Sequence, residues 1–230
     1  SACVPGVSID HDELDTLVDI LPCENGLVDL RTGRFCEHDR DALYTKSSPI
    51  AFNDEASCPR WERFLEEVFP TNAGDPSSPP DRALIDAMQR AVGYSLTGDI
   101  SEQTLFFLHG VGSNGKSVFL RVLSAILGDL SARAPRGFLD MRNDNGGHET
   151  SMTVLFDRRV IVSAETTQGK AWDETMIKEL TGGDLITGRR MREDHWEFAP
   201  THKLWVSGNH KPTIRGTDEG IWRRIPLIPF

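Results

Sequence analysis

The stretch Gly110-Val111-Gly112-Ser113-Asn114-Gly115-Lys116-Ser117 has the spacing G-x-x-x-x-G-K-[ST], which suits the binding of a nucleotide's phosphates. Glycines let successive backbone N–H groups turn inward and form a concave cradle for anionic oxygens. Lys116 supplies a positive charge for the β- and γ-phosphates, and Ser117 offers a hydroxyl to Mg²⁺. A helix that starts here adds the positive end of its dipole. Gly110, Gly112, Ser113, Asn114, Gly115, Lys116 and Ser117 are the candidate nucleotide-binding residues, with ATP and Mg²⁺ as the expected cofactors. The alternative is a glycine-rich turn between strand and helix that holds nothing.

Hydrolysis needs a carboxylate nearby, to hold the metal shell or polarise the attacking water. Arg159–Glu165 (RVIVSAE) is an apolar run that ends in an acid, at the strand end where ligands sit in open α/β sheets. Glu165 is the candidate metal ligand, general base, or both; Ala164 and Thr166 on either side cannot share the work. Asn209 follows another apolar run, where its amide can hydrogen-bond a γ-phosphate and the attacking water; a plain turn fits there too. Arg223 and Arg224 place two guanidiniums just before Ile225–Phe230. They are either an exposed structural pair or a finger for the spread charge of a transferring phosphoryl group, which a neighbouring subunit can receive. Arg189, Arg190, Arg192 and His195, with Met191 and Trp196 interleaved, have the composition of a single-stranded nucleic-acid contact. Cations track phosphates while apolar and aromatic groups pack on sugars and bases. A solvated basic hairpin balanced by Glu193 and Asp194 is the plainer reading.

These groups need a scaffold that delivers them to one place. Leu105–Leu108, Val160–Val162, Leu204–Val206 and Ile225–Phe230 read as buried strands. Helices read over Lys116–Leu127, stopped by Gly128, and over Thr175–Leu180, ending at Gly182-Gly183. Leu185–Phe198 lacks a helical stripe and reads as a protruding hairpin, and Gly137–Thr150 as a polar connection. Short apolar strands alternating with helices predict an α/β domain with a mostly parallel sheet. Upstream, Leu27–Leu30 between Asn25-Gly26 and Thr32-Gly33 reads as a small hairpin. Pro59–Phe69 and Asp81–Leu96 read as helices, the second with Asp81 as N-cap, joined by the loop Pro70–Pro80. The expected division is a mainly helical N-terminal domain over 1–100 and a P-loop core over 101–230.

At 230 residues with 38% hydrophobic content the chain can bury a real core. No apolar run approaches the roughly 18 residues of a membrane-spanning helix, so no membrane partner is expected. The four cysteines, Cys3, Cys23, Cys36 and Cys58, form no C-x-x-C pair and read as reduced, partly buried thiols. The net charge of −10 argues against nucleic acid until it is divided. Residues 1–100 hold 8 basic and 19 acidic side chains, and residues 101–230 hold 17 and 16. The P-loop half is free to carry local basic patches.

Together, GVGSNGKS, RVIVSAET, IKELTGGDLITGRRM, KLWVSGNHKP and DEGIWRRIPLIPF resemble the ordered motifs of the superfamily III helicases, above all the helicase portion of phage and plasmid primase-helicases and of related poxvirus proteins. CPRWERFLEEVF and AVGYSLTGD are similar to the helical region that precedes the ATPase in that family. The resemblance implies an AAA+-like core in a homo-oligomeric ring, usually a hexamer, that moves on single-stranded DNA by hydrolysing ATP at subunit interfaces. It implies Walker A roles for Lys116 and Ser117, the Walker B role for Glu165, a sensor role for Asn209, and an arginine finger at Arg224 or, less directly, Arg223. It turns Lys178–Arg192 into the segment leading to a channel-facing hairpin. It further implies a cytoplasmic, phage- or plasmid-encoded protein in a bacterial host. Two departures carry expectations: with no primase half in this sequence, no primer synthesis; and with the sequence ending after the finger, poor assembly. The alternative function is a P-loop ATPase that remodels or packages a non-replicative substrate.

Overall fold

The computed structural model describes residues 9, 13–72, 75, 77–141, 151–163, 170–189, 195–216 and 219–230. Its centre is a five-stranded sheet of β4 (Leu105–His109), β5 (Ser131–Arg133), β6 (Val160–Ser163), β9 (Lys203–Gly208) and β10 (Leu227–Pro229), in the order β10-β4-β9-β6-β5. Every neighbouring pair is parallel. Both faces of such a sheet must be covered, which is why β4, β6 and the middle of β9 read as apolar runs. The pleat sends alternate side chains to opposite faces. Phe106, Leu108 and Trp205 enter one core cluster, whereas Leu105, Phe107, Leu204 and Val206 enter the other.

The first face is covered by α3 (Lys116–Leu127), which crosses β5, β6 and β9. It is joined by α1 (Pro59–Val68) and α2 (Arg82–Leu96) from the N-terminal region. The cap predicted for α2 is present: the Asp81 carboxylate accepts from the Leu84 N–H at 3.0 Å. Ser95 on α2 accepts a 3.0 Å hydrogen bond from the indole of fully buried Trp205, tying the helix to the sheet. Ahead of these helices, β1 (Ile20–Cys23), β2 (Gly26–Asp29) and β3 (Phe35–Cys36) form a small antiparallel sheet.

The second face is covered by α4 (Glu174–Gly182), by Trp172, and by the antiparallel hairpin of β7 (Ile186–Arg189) and β8 (His195–Phe198). A short α5 (Glu219–Trp222) leads into β10. Gly128 and Gly183, at φ of 52° and 92°, take the helix-ending positions that a side chain would strain.

The α/β, AAA+-like architecture with a mostly parallel sheet is as expected. Two strands differ. β5 was not predicted: Ser-Ala-Arg is short and only half-buried, so it carries no apolar signal. β10 occupies three residues at the sheet edge instead of the whole of Ile225–Phe230. Among the described cysteines, Cys23 is buried and Cys36 and Cys58 are exposed, all as free thiols. Among the described residues, no helix is long and apolar enough to cross a membrane.

Candidate nucleotide and nucleic-acid site

The glycine loop leaves the carboxyl end of β4 and enters α3 directly. Its entry is braced by backbone: Gly110 N–H faces the Gly208 carbonyl at 3.4 Å, and Phe230 N–H donates to the His109 carbonyl at 2.8 Å. Asn114 then bridges, donating to the Phe230 carbonyl at 2.8 Å and accepting from the Lys116 ammonium at 2.8 Å. Lys116 also donates to the Gly110 carbonyl at 2.6 Å and is 6% exposed. A Cβ on Gly110 would collide with the Asn114 amide and the Phe230 carbonyl, so this glycine is a steric requirement. Gly115, at φ of 98°, would place a Cβ 2.7 Å from Val68 on α1. Gly112 faces open space.

The loop offers donors without acceptors. Gly115, the N-cap of α3, has no side chain to cap the helix. Among the described residues the N–H groups of Gly112, Ser113, Gly115 and Ser117 meet no backbone acceptor. A helix start with orphan donors and a buried cation beside it matches an anionic, multidentate ligand. The electrostatics agree. The imidazole of His109 is held below its ordinary pKa, first by burial and then by the cations Lys211, Lys116 and His210. A positive field surrounds this loop although the chain is net acidic. The residues present therefore fit a nucleotide's phosphates.

Asn209 stands one residue past β9, half-buried, and the register His109↔Gly208 sets it beside the start of the loop. Ser117 lies exposed in the first turn of α3. Glu165 falls two residues beyond β6, outside the described residues, as do Arg190 and Arg192. The described residues contain no group of three or more His, Cys, Asp or Glu side chains able to hold a metal alone. A magnesium site of one hydroxyl, one carboxylate and phosphate oxygens needs no such group.

Arg223 and Arg224 lie at the opposite edge. The Arg224 carbonyl accepts from Leu105 N–H at 2.7 Å, at the amino end of β4. That strand separates them from the loop by about 13 Å, so neither reaches the loop of its own chain. Arg224 is engaged at home: it donates to Gly220 carbonyl at 2.6 Å, to Gln103 Oε1 at 2.9 Å and to Thr181 Oγ1 at 3.2 Å. Arg223 is exposed and makes one bond, 3.3 Å to Gln103 Oε1. Of the pair, Arg223 is the freer guanidinium, the reverse of the order expected from the motif.

On either side of residues 190–194, which lie outside the described residues, β7 and β8 pair antiparallel as the predicted hairpin requires. Arg189 and His195 are exposed and directly paired across it. Trp196 is half-buried, packing edge-on against Phe156 at 4.5 Å and beside Phe198 at 4.8 Å. Sequence reasoning also missed Gln103, the Asn114–Phe230 brace and the cations His210 and Lys211. The last two follow Asn209 directly and could have been found from that adjacency.

Residues 108–224 match the Family of unknown function (DUF5906), and the chain belongs to that family. Residues 1–70 match the family described as D5 N terminal like. A protein of Acanthamoeba polyphaga mimivirus, provisionally named a helicase, is 30% identical over 214 residues, covering 90% of this chain and 21% of its own length. The uncoating factor of vaccinia virus (strain Western Reserve) is 25% identical over 231 residues, covering 96% of this chain and 29% of its own length. The chain thus spans less than a third of these curated relatives. The solved NrS-1 C terminal region shares the fold, with a TM-score of 0.52 at 11% identity over 76% of this chain and 38% of that one. The resemblance to superfamily III helicases and their poxvirus relatives, read from the motifs, is matched by these relatives. They come from a mimivirus and a poxvirus, not from phages or plasmids.

Proposed function

We propose that this chain is the ATP-hydrolysing motor of a DNA helicase or translocase of the replication type found in viral, phage or plasmid-borne elements, working as a homo-oligomeric ring on single-stranded DNA. The observation that carries this reading is the opposition of two half-sites. The phosphate-fitting loop and the arginine pair occupy opposite edges of one sheet, which supports a site that takes its loop from one protomer and its arginine from the next. Lys116 leaves the Gly110 carbonyl and the Asn114 amide for the β- and γ-phosphates, and the open N–H groups of the loop hold the remaining oxygens. Ser117 and Glu165 would hold Mg²⁺, which when bound offsets phosphate charge and orients the γ-phosphoryl for attack by water. Asn209 orders that water against the γ-phosphate. Arg223 of one protomer meets the developing charge at the loop of the next, while Arg224 fixes its base. Arg189, Arg190, Arg192 and His195 present cations to the DNA backbone. Single-stranded DNA is expected to stimulate ATP turnover, and Lys116→Ala to lower it about 1000-fold; turnover indifferent to DNA in an assembled sample sinks the translocase reading. Mixing Arg223→Ala with Lys116→Ala protomers is expected to restore part of the activity, because some interfaces then combine two intact halves.

A second reading, an ATPase that remodels or unpackages a non-replicative substrate, is favoured by the name of the vaccinia relative, an uncoating factor. Crosslinks from the 189–195 hairpin to protein but never to DNA would select it.

A further inference from the structure

We infer that Gln103 is a positioning residue that links the root of the basic hairpin to the arginine pair; the inference rests on the function proposed above. Gln103 has the unusual backbone angle φ of 50°, a left-handed conformation that a residue with a Cβ adopts at a cost unless its surroundings hold it. Its side chain is used at both ends. The carbonyl oxygen accepts from Arg224 at 2.9 Å and from Arg223 at 3.3 Å. The amide nitrogen donates to the Gly182 carbonyl at 3.2 Å. Gly182 closes α4, Gly183 turns the chain, and the hairpin strand β7 begins at Ile186.

The neighbouring bond runs the same way. Buried Thr181, one residue earlier on α4, accepts from Arg224 Nε at 3.2 Å. The end of the helix that carries the hairpin is therefore fastened to Arg224 directly and to both arginines through one amide. A shift of the hairpin on DNA pulls on Gly182 and reaches Arg223 through Gln103. Thr181 reaches Arg224 alone, whereas Gln103 reaches both guanidiniums.

The two ends of the amide can be cut separately. Asparagine tolerates the left-handed backbone better than most residues but is one methylene too short for either partner. Gln103→Asn is expected to lower DNA-free ATP turnover between about 10- and 100-fold, as displaced catalytic groups do, and to lose stimulation by single-stranded DNA, with the KM for ATP unchanged. Glutamate keeps the oxygens for the guanidiniums and loses the donor to the Gly182 carbonyl. Gln103→Glu is expected to recover the turnover lost in Gln103→Asn and still fail to respond to DNA. Assays use the whole chain with a defined single-stranded oligonucleotide, and melting curves confirm folding. Full stimulation in both variants overturns the inference. So does equal loss of both properties in both variants, which marks a structural role only. If Gln103→Asn does not fold, Gln103→Glu decides alone: retained stimulation overturns the inference. Wild-type turnover indifferent to DNA removes the proposed function, and the inference with it.

Discussion

The two edges of the central sheet hold cations on opposite terms. At the carboxyl edge, Lys116 is held by groups of its own loop, and the donors around it are left open. At the amino edge, fully buried Lys203 donates to the Thr97, Asp99 and Thr201 carbonyls and lies 4.8 Å from the ring of Tyr94. Burial, and then the nearby Arg159, push its pKa down to about 7. Beside it, His202 is buried with neither ring nitrogen partnered among the described residues. One edge keeps donors in reserve for a ligand; the other spends its cations on fastening the α2–β4 connection to the sheet. A buried lysine is therefore not in itself a sign of function: what surrounds its ammonium decides.

The contrast can be broken most sharply with Lys116→Ala. ATP turnover is expected to fall about 1000-fold, the upper range for removing one preorganised donor to developing charge, while the melting temperature barely moves. Lys203→Ala should do the reverse, lowering unfolding free energy by about 3 kcal/mol, since it leaves buried carbonyls unpaired and a cavity. Nucleotide affinity of the folded fraction should stay at the wild-type value; a matched loss of affinity would erase the distinction between the edges. His202 sharpens the comparison through acid. Its folded pKa is pushed down to about 3 by burial and then by Lys203, against an ordinary 6.5. The unfolded chain takes up a proton in that window that the folded chain refuses. Stability should thus decline as pH falls from 6.5 toward 3, by at most about 1.4 kcal/mol per unit, and His202→Phe should flatten this limb in denaturant titrations at stepped pH. The smallest effect is expected from Ser95→Ala, about 1 kcal/mol for the indole N–H left without an acceptor, read from urea unfolding with ATP turnover unchanged.

The carboxyl edge was far more legible in the sequence than the amino edge, for a physical reason. A phosphate cradle needs contiguous residues with fixed backbone geometry, so Gly110, Gly115, Lys116 and Ser117 stand together and name themselves. Apolar strands and Asp81 as a cap announce themselves by local rules in the same way. The amino edge is assembled from distant pieces: Lys203 meets Thr97 and Asp99, and Gln103 meets Gly182 and the arginines. A lone glutamine ahead of a strand carries no periodicity and no motif. The difference between Arg223 and Arg224 was equally hidden, because only the fold reveals that Arg224 is held at three points.

The short strand β10 starts three residues after Arg224 and leads into Phe230, whose carbonyl accepts from Asn114 and whose N–H donates to the His109 carbonyl. Among the described residues it is paired to β4 alone. If the proposed ring forms, this one short run of chain joins the arginines offered to a neighbour's nucleotide to the brace beneath the chain's own loop.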